Sequence, residues 1–468
     1  MKTRLIIASI IVIAGIIVSV AISVTKSDKV DHSELVSGPF ETPQDVTRAC
    51  IGCHEDQAAE VLKSRHWLWH GDEFEVEGKG KIKFGKKFSF NNFCINIASN
   101  EPRCTSCHPG YGWKDDTFDF NNPENIDCLV CHDNSGTYKK IPTGAGMPSS
   151  DVDLTIAAQS VGRSKKSNCG SCHFEGGGGT AVKHGDLDPT LLDNSKKVDI
   201  HMNKHGLECT SCHKSEKHQI LGSSHGSMAQ GINHTSCTDC HDDSKKKIHK
   251  NATIAKHLNS VACESCHIPS IAREYYTVTY WDWSTAGLKE DVKFDEKHLA
   301  YSKLKGDLKW EKDVKPVYRW HNGKADYYLA GDKFDSSPLM LNKLKGSVAD
   351  AKSKIYPFKL MKGKQIYDTE NKYLIAPRLY GEGGFWTNFD WNSASEIGMK
   401  KLNLPYSGKF GFVETEMLWP VNHMVVSKGE TMKCNDCHGK NGAMDWKALG
   451  YNDDPLHKGG RERNKLLK

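Results

Sequence analysis

Cysteine to spare is the first thing this chain lacks: of its seventeen cysteines, every one but Cys94 falls inside a Cys-x-x-Cys-His motif. Residues 268–433 contain no cysteine at all. Downstream of about Val24 there is no apolar run long enough to cross a bilayer, which excludes a multispan membrane protein. The N-terminus carries no twin-arginine pair. Charge of one sign is also missing, since 63 Lys and Arg stand against 58 Asp and Glu for a net charge of +5, and no known nucleic-acid motif is present. Nor is there a fixed repeat: successive motifs start 54, 24, 41, 40, 28, 26 and 171 residues apart, which excludes a solenoid.

What is there is one motif eight times over. It occurs as CIGCH (Cys50, Cys53, His54), CTSCH (Cys104, Cys107, His108), CLVCH (Cys128, Cys131, His132) and CGSCH (Cys169, Cys172, His173). It recurs as CTSCH (Cys209, Cys212, His213), CTDCH (Cys237, Cys240, His241), CESCH (Cys263, Cys266, His267) and CNDCH (Cys434, Cys437, His438). This is the attachment motif of c-type haem: each thiol adds across a vinyl group and the histidine ligates iron. A zinc half-site or a redox dithiol needs no histidine in that place. Histidine is only 23 of 468 residues, so its presence after all eight pairs points to eight covalently attached haem c groups.

Residues 1–25 read as an export signal: Lys2 and Arg4 precede an uncharged apolar run from Leu5 to about Val24. Thioether formation outside the cytoplasmic membrane agrees with export, and the periplasm is the expected compartment, with an uncleaved N-terminal membrane anchor as the alternative. Residues 26–270 form a seven-haem core, because seven motifs lie between Cys50 and His267 and leave little room for a conventional side-chain core. Its interior is expected to be largely porphyrin, with short helices, little or no sheet, and loops at FEGGGGT (174–180) and GSSHGS (222–227). Residues 271–433 form a haem-free, aromatic-rich wrapping segment poor in regular α or β structure, and residues 434–468 hold the eighth haem and a tail. The fold class expected is mainly α with much irregular structure.

Within the wrapping segment, patches such as EYYTVTYWDW (274–283) and GEGGFWTNFDW (381–391) are expected to pack against porphyrin edges and against one another. VYRWHNGKADYYLA (317–330) leans towards β. Helices are expected from about Ser393 to Leu402 and running into WPVNHMVV. Eight haems would bring sixteen propionates, for which many Lys and Arg residues serve as counter-ions. The run SKKKIHK (244–250) reads as a propionate-facing or solvated patch, or as a dock for an acidic redox partner. Whether the protein is a relay or an enzyme rests on the sixth iron ligands: histidine on both faces suits electron passage, and an open or labile face suits substrate. Fifteen histidines remain after the motif set, so the count permits a wire.

The eight motifs and their spacing, with RHWLWH (65–70), CGSCHFEGGGGTAVKHGDLD (169–188), VDIHM (198–202), HLNSVACESCHIP (257–269) and WPVNHMVVSKGETMKCNDCH (419–438), resemble the octahaem tetrathionate reductase family. That family is akin to hydroxylamine oxidoreductase and, more distantly, to pentahaem nitrite reductase. In contrast to the nitrite reductases, no motif here ends in lysine. The resemblance implies that the second motif carries the active-site haem, with Lys183 as its distal ligand and Cys94 beside it as a thiol able to exchange with a sulfur–sulfur bond. Without the resemblance, Lys183 reads as a surface or propionate-paired lysine and Cys94 as an inert buried thiol. For the other irons, His66, His184, His201, His218, His249, His257 and His423 are the expected distal ligands, with His70, His205, His225 and His234 in reserve. The function implied is two-electron reduction of tetrathionate to thiosulfate. A redox partner protein or a quinol-linked cytochrome would be the electron donor, and a small sulfur or nitrogen oxyanion the substrate. Nitrite or hydroxylamine reduction, or a non-catalytic electron relay, is the alternative.

Overall fold

The computed structural model describes residues 30–456 apart from 71–72, 77–78, 84, 88, 177, 226–227, 233–234 and 242–247. The export signal, His234 and most of the SKKKIHK run therefore lie outside the described residues, as does the side chain of His225. Three helices matter most for the site: α1 (Pro43–Val61), α2 (Lys166–His173) and α3 (Trp391–Lys401). Helix α1 starts on a capping box in which Thr42 and Asp45 bond reciprocally, and its helical geometry breaks at His54, the histidine of the first motif. The other motifs sit on short turns such as Cys209–Cys212, Cys263–His267 and Cys434–Cys437. A helical turn suits the motif because residues three apart share one face, which aims both thiols the same way.

Residues 277–420 build a nine-stranded sheet, which corrects the expectation of a mainly α fold with a wrapping segment poor in regular structure. Its strands are β1 (Thr277–Asp282), β2 (Val292–Lys293), β3 (Leu299–Ser302), β4 (Gly306–Glu311), β5 (Val317–His321), β6 (Leu339–Met340), β7 (Lys354–Asp368), β8 (Tyr373–Leu374) and β9 (Phe410–Pro420). The order across the sheet is β2-β3-β4-β1-β7-β9-β6, with β5 and β8 also paired to β7. Strand β7 runs antiparallel to β9 from Phe358↔Pro420 to Asp368↔Phe410 and parallel to β1. The aromatics pack on one another, as one half of the expectation had it: Trp281 and Trp283 stack at 4.8 Å, and Phe385 stacks on Trp391 at 3.7 Å. Aromatic and β-branched side chains fit a half-buried pleated surface, and here they line the core of the sheet.

Helix α3 lies where a helix was expected, whereas the helix expected to run into WPVNHMVV is instead the end of strand β9 followed by irregular chain. The register of β9 on β7 governs that stretch up to Pro420, which sits at the strand end where a missing N–H is tolerated. The glycine-rich stretches expected as loops form short hairpins, Glu175–Gly176 with Gly179–Thr180 and Gly222–His225 with Met228–Ile232. No described helix is long and apolar enough to cross a membrane.

Candidate multihaem redox site

Six of the eight motif histidines face a second histidine at nearly one distance. His54 stands 6.4 Å from His32, His173 6.1 Å from His66, and His213 6.2 Å from His423, ring centre to ring centre. His241 and His201 are 6.2 Å apart, His267 and His249 6.4 Å, and His438 and His257 6.3 Å. Two imidazoles bound to opposite sides of one iron, each at a metal–nitrogen bond of roughly 2 Å, hold their ring centres about 6 Å apart. The chain thus presents pairs of ring nitrogens at the separation haem iron requires. His132 has His218 as an electrostatic neighbour.

The second ring nitrogen decides which one is free to bind iron. Nδ1 of His132 lies 2.9 Å from the Gly162 carbonyl, that of His213 3.1 Å from Leu221 and that of His257 2.9 Å from Thr253. Carboxylates play the same part elsewhere: Nδ1 of His218 meets Glu60 at 2.8 Å, that of His423 meets Asp186 at 3.1 Å, and that of His438 meets Asp454 at 2.6 Å. Each of these bonds is made by Nδ1, the nitrogen that a histidine ligating through Nε2 does not use. Asp186 also accepts the backbone N–H groups of Asn422 and His423; burial alone would raise its pKa, but these bonds and the His423 ring bring it to about 2.

His108, in the second motif, is engaged the other way round. Its Nε2 lies 2.7 Å from the Trp67 carbonyl and its Nδ1 has no hydrogen-bond partner. The ring is wholly buried among Trp67, Trp69, Trp113, Phe118 and Phe120, with centres 4.8–6.1 Å away. Burial drives its pKa down to about 3, so the imidazole is neutral. A Cβ at Gly110 would come within 2.7 Å of Trp67 and 2.8 Å of His108 Nδ1, so only glycine fits beneath the cage. The segment RHWLWH serves two motifs at once: His66 faces His173, while Trp67 and Trp69 enclose His108.

Lys183 lies beside the second motif. Its Nζ is 5.9 Å from the ring centres of Phe93 and Trp419, and it is an electrostatic neighbour of Cys107 and Cys172. Burial, reinforced by the like charge of Lys86, lowers its pKa to about 8. A neutral amine is the form that can bind a metal. Cys94 sits on a segment stapled to β7: Asn92 Nδ2 donates to the Met361 carbonyl at 2.6 Å, and Gln365 Nε2 donates to the Asn91 carbonyl at 2.8 Å. Gly363 permits this approach, since a Cβ there would meet Asn92 at 3.2 Å. Burial raises the Cys94 thiol, opposed by the Ile95 N–H and by the positive charges of Lys305, Arg103 and Lys86.

Sequence reasoning did not name His32, which faces His54, and it named His184, whose ring contact is with Trp419 and whose motif neighbour is His173. His184 stands edge-on to Trp419 at 5.0 Å, so the amine of Lys183 and the imidazole of His184 do not compete for one position. The motifs also adjoin one another through sulfur. The thiols, all free of disulfides, lie within hydrogen-bond reach in pairs: Cys50 with Cys128, Cys107 with Cys172, Cys169 with Cys209, and Cys237 with Cys263. Electrostatic contact links Cys131 to Cys169, Cys212 to Cys240 and Cys266 to Cys437. In space the motifs run first, third, fourth, fifth, sixth, seventh, eighth, with the second joined at the fourth.

Comparison with known proteins agrees with this geometry. Residues 194–268 match the family described as cytochrome c7 and related cytochrome c, and residues 278–441, which span most of the sheet and the last motif, match the family described as bacterial cytochrome c. An uncharacterised protein of Archaeoglobus fulgidus is 26% identical over 241 residues, 41% of this chain and 80% of that protein. The crystal structure of octahaem cytochrome c from Shewanella oneidensis is 46% identical, superposes with a TM-score of 0.85, and covers 92% of this chain and 98% of its own. With covalent haem c implied by its motifs, its paired histidines and these relatives, the chain belongs to the octahaem c-type cytochromes and is an electron-transfer protein.

Proposed function

We propose that this cytochrome is a periplasmic reductase carrying eight haems. Seven are capped on both faces by histidine and conduct electrons; the one tethered by Cys104 and Cys107 is held by Lys183 and reduces tetrathionate to thiosulfate. The observation that supports the reading is Lys183, a buried lysine beside Cys107, at the motif whose His108 is in none of the six histidine pairs. Haem c supplies one-electron exchange at its iron and, where one face is free of a strong protein ligand, a place for an oxidised anion.

The surrounding residues suit an anionic substrate. Lys86, Arg103 and Lys305 all bear on Cys94, and Glu101, the nearby carboxylate, is itself paired with Lys401 at 3.4 Å. Positive charge aimed at sulfur stabilises the thiosulfate that departs and makes the Cys94 thiolate accessible. That thiolate attacks one of the two central sulfurs of tetrathionate, forming Cys94–S–S–SO3⁻ and releasing one thiosulfate dianion. Two electrons then split the new sulfur–sulfur bond, which regenerates the thiolate and releases the second thiosulfate. Electrons arrive from a redox partner protein or a quinol-linked cytochrome and enter the second motif through the fourth, where Cys107 meets Cys172.

The test is a comparison of steady-state rates with tetrathionate, nitrite and hydroxylamine under one electron donor, for the wild type, Lys183→Ala and Cys94→Ala. Tetrathionate is expected to be the preferred substrate, with a fall in kcat for both variants, and Lys183→Ala is expected to remove one electron paramagnetic resonance signal while the bis-histidine signals stay. Faster turnover of nitrite or hydroxylamine would move the substrate to nitrogen compounds. Eight bis-histidine signals, unchanged in Lys183→Ala, would leave only a relay.

A further inference from the structure

Strand β7 buries a lysine that neither the motifs nor the paired histidines account for. Lys359 is 1% exposed, and its ammonium donates to the Val182 carbonyl at 2.9 Å, the Lys183 carbonyl at 3.1 Å and the Thr277 hydroxyl at 2.6 Å. An ammonium has three protons, and here all three have acceptors, none of them a carboxylate. The Thr277 hydroxyl in turn lies 2.6 Å from the Ala181 carbonyl and 3.1 Å from the His184 carbonyl. The carbonyls of four consecutive residues, 181–184, therefore converge on one buried cation and its hydroxyl partner. Neither helix nor strand turns four successive carbonyls to one focus. The left-handed backbone at Ala181, with φ of 57°, starts the curl that does so.

A buried cation carries a heavy desolvation cost, which the charge of Asp186 only partly offsets, and an apolar side chain would fill the site without it. Lys359 is explained if the convergent carbonyls need a donor. From the other side the same segment is confined by Gly176, where a Cβ would stand 3.2 Å from Lys183 Cβ.

We propose that Lys359, with Thr277, is the positioning residue for Lys183: by gathering the carbonyls of residues 181–184 it fixes the backbone from which the Lys183 amine reaches the haem of the second motif. This rests on the reading that Lys183 is an iron ligand. The cradle belongs to the sheet and the amine to the motif region, so the sheet sets the height at which the ligand stands.

The test uses purified holoprotein and two readouts: the electron paramagnetic resonance signal that Lys183→Ala removes, and kcat with tetrathionate. Lys359→Met is expected to shift or split that signal, to leave the bis-histidine signals in place, and to lower kcat on the order of 10²-fold, as a misplacement of about 1 Å does. Should Lys359→Met fail to accumulate with its full haem content, Thr277→Val against Thr277→Ser makes the same comparison. The valine is expected to reproduce the shift, and the serine, which keeps the hydroxyl, to restore the wild-type signal. A Lys183-dependent signal and kcat that survive Lys359→Met or Thr277→Val within twofold overturn the inference and leave the ligation reading standing. A silent Lys183→Ala overturns the ligation reading, and this inference with it.

Discussion

The motif region before Pro269 and the sheet of residues 277–420 bury their interiors by different means. The sheet has an ordinary core in which Trp281, Trp283, Met361 and Trp419 are at most 1% exposed and pack in one continuous cluster. In the motif region, apart from Phe90, Ile95 and Val182, which join the core of the sheet, buried apolar residues fall into small groups such as Val46, Leu129, Ala157 and Ala158, or Phe174, Leu191 and Val198. Groups of that size cannot offset the conformational entropy of ordering so long a stretch. The motif region needs the apolar surface of its haems, and the sheet does not. Cys94 and Lys183 both lie at the junction and both are anchored to β7, so the rigid region aims the reactive groups of the dependent one.

The largest break in this contrast comes from withholding haem. Protein produced without haem attachment is expected to be cut by protease throughout residues 30–268, while a resistant fragment from the sheet survives, as read by limited proteolysis and mass spectrometry. Equal cutting on both sides would mean that the sheet also depends on haem. A smaller break acts on the sheet alone. Trp281→Ala removes a ring stacked on Trp283 at 4.8 Å and a hydrogen bond to the Lys305 carbonyl at 2.7 Å, and is expected to cost about 3–5 kcal/mol. Chemical denaturation should then show loss of the sheet before loss of the bis-histidine haem spectrum. A single unchanged transition would show that the two regions unfold as one.

The motif region is sharpened by Asp127, which is 1% exposed and holds Lys140 at 2.8 Å, the Tyr111 hydroxyl at 3.0 Å and the Tyr138 hydroxyl at 2.9 Å. Lys140 in turn donates to the His108 carbonyl, so this buried pair sits under the aromatic cage. Asp127→Ala leaves an ammonium buried without its partner and is expected to cost about 3 kcal/mol. The haem content should stay at its full value, with the loss visible in the denaturation midpoint. Loss of only the second haem would instead make Asp127 part of that haem's attachment.

The legible part of the molecule is the part where covalent chemistry dictates residue order. CxxCH has one meaning wherever it stands, so the tethers could be placed residue by residue. Distal histidines carry no local signature, because the separation from their partners follows no rule: His249 meets His267 and His32 meets His54 nearby in sequence, whereas His423 meets His213 and His257 meets His438 across the whole sheet region. His32 escaped because it lies in none of the motifs compared, and His184 was named by motif although it adjoins Lys183. The sheet was obscured by its own aromatics, which porphyrin edges and neighbouring strands would accept equally well. Lys359 gives no sign in KIYPFKLMKG, where a lysine in a strand ordinarily faces water. Its burial is a consequence of β7 lying at the centre of the sheet with the 181–184 turn folded against it.

The smallest expected effect tests what joins the two regions. Lys401, at the end of α3, reaches Glu101 at 3.4 Å and also pairs with Asp116, and so bridges the sheet region to the helical turn that leads into Cys104. Beside it Asn100 donates to the Pro377 carbonyl at 3.0 Å and accepts from the Leu379 N–H at 2.6 Å. The ion pairs are partly exposed and screened by salt, whereas the asparagine bonds are buried and replace backbone partners that nothing else supplies. Lys401→Met should therefore cost no more than about 1 kcal/mol and less at high salt, and Asn100→Ala about 2 kcal/mol at any ionic strength. In a double-mutant cycle the two losses should add. If Lys401→Met proves the costlier change, the two regions are held together by charge, and the reactive junction becomes salt-sensitive in place of being clamped by the backbone of the sheet region.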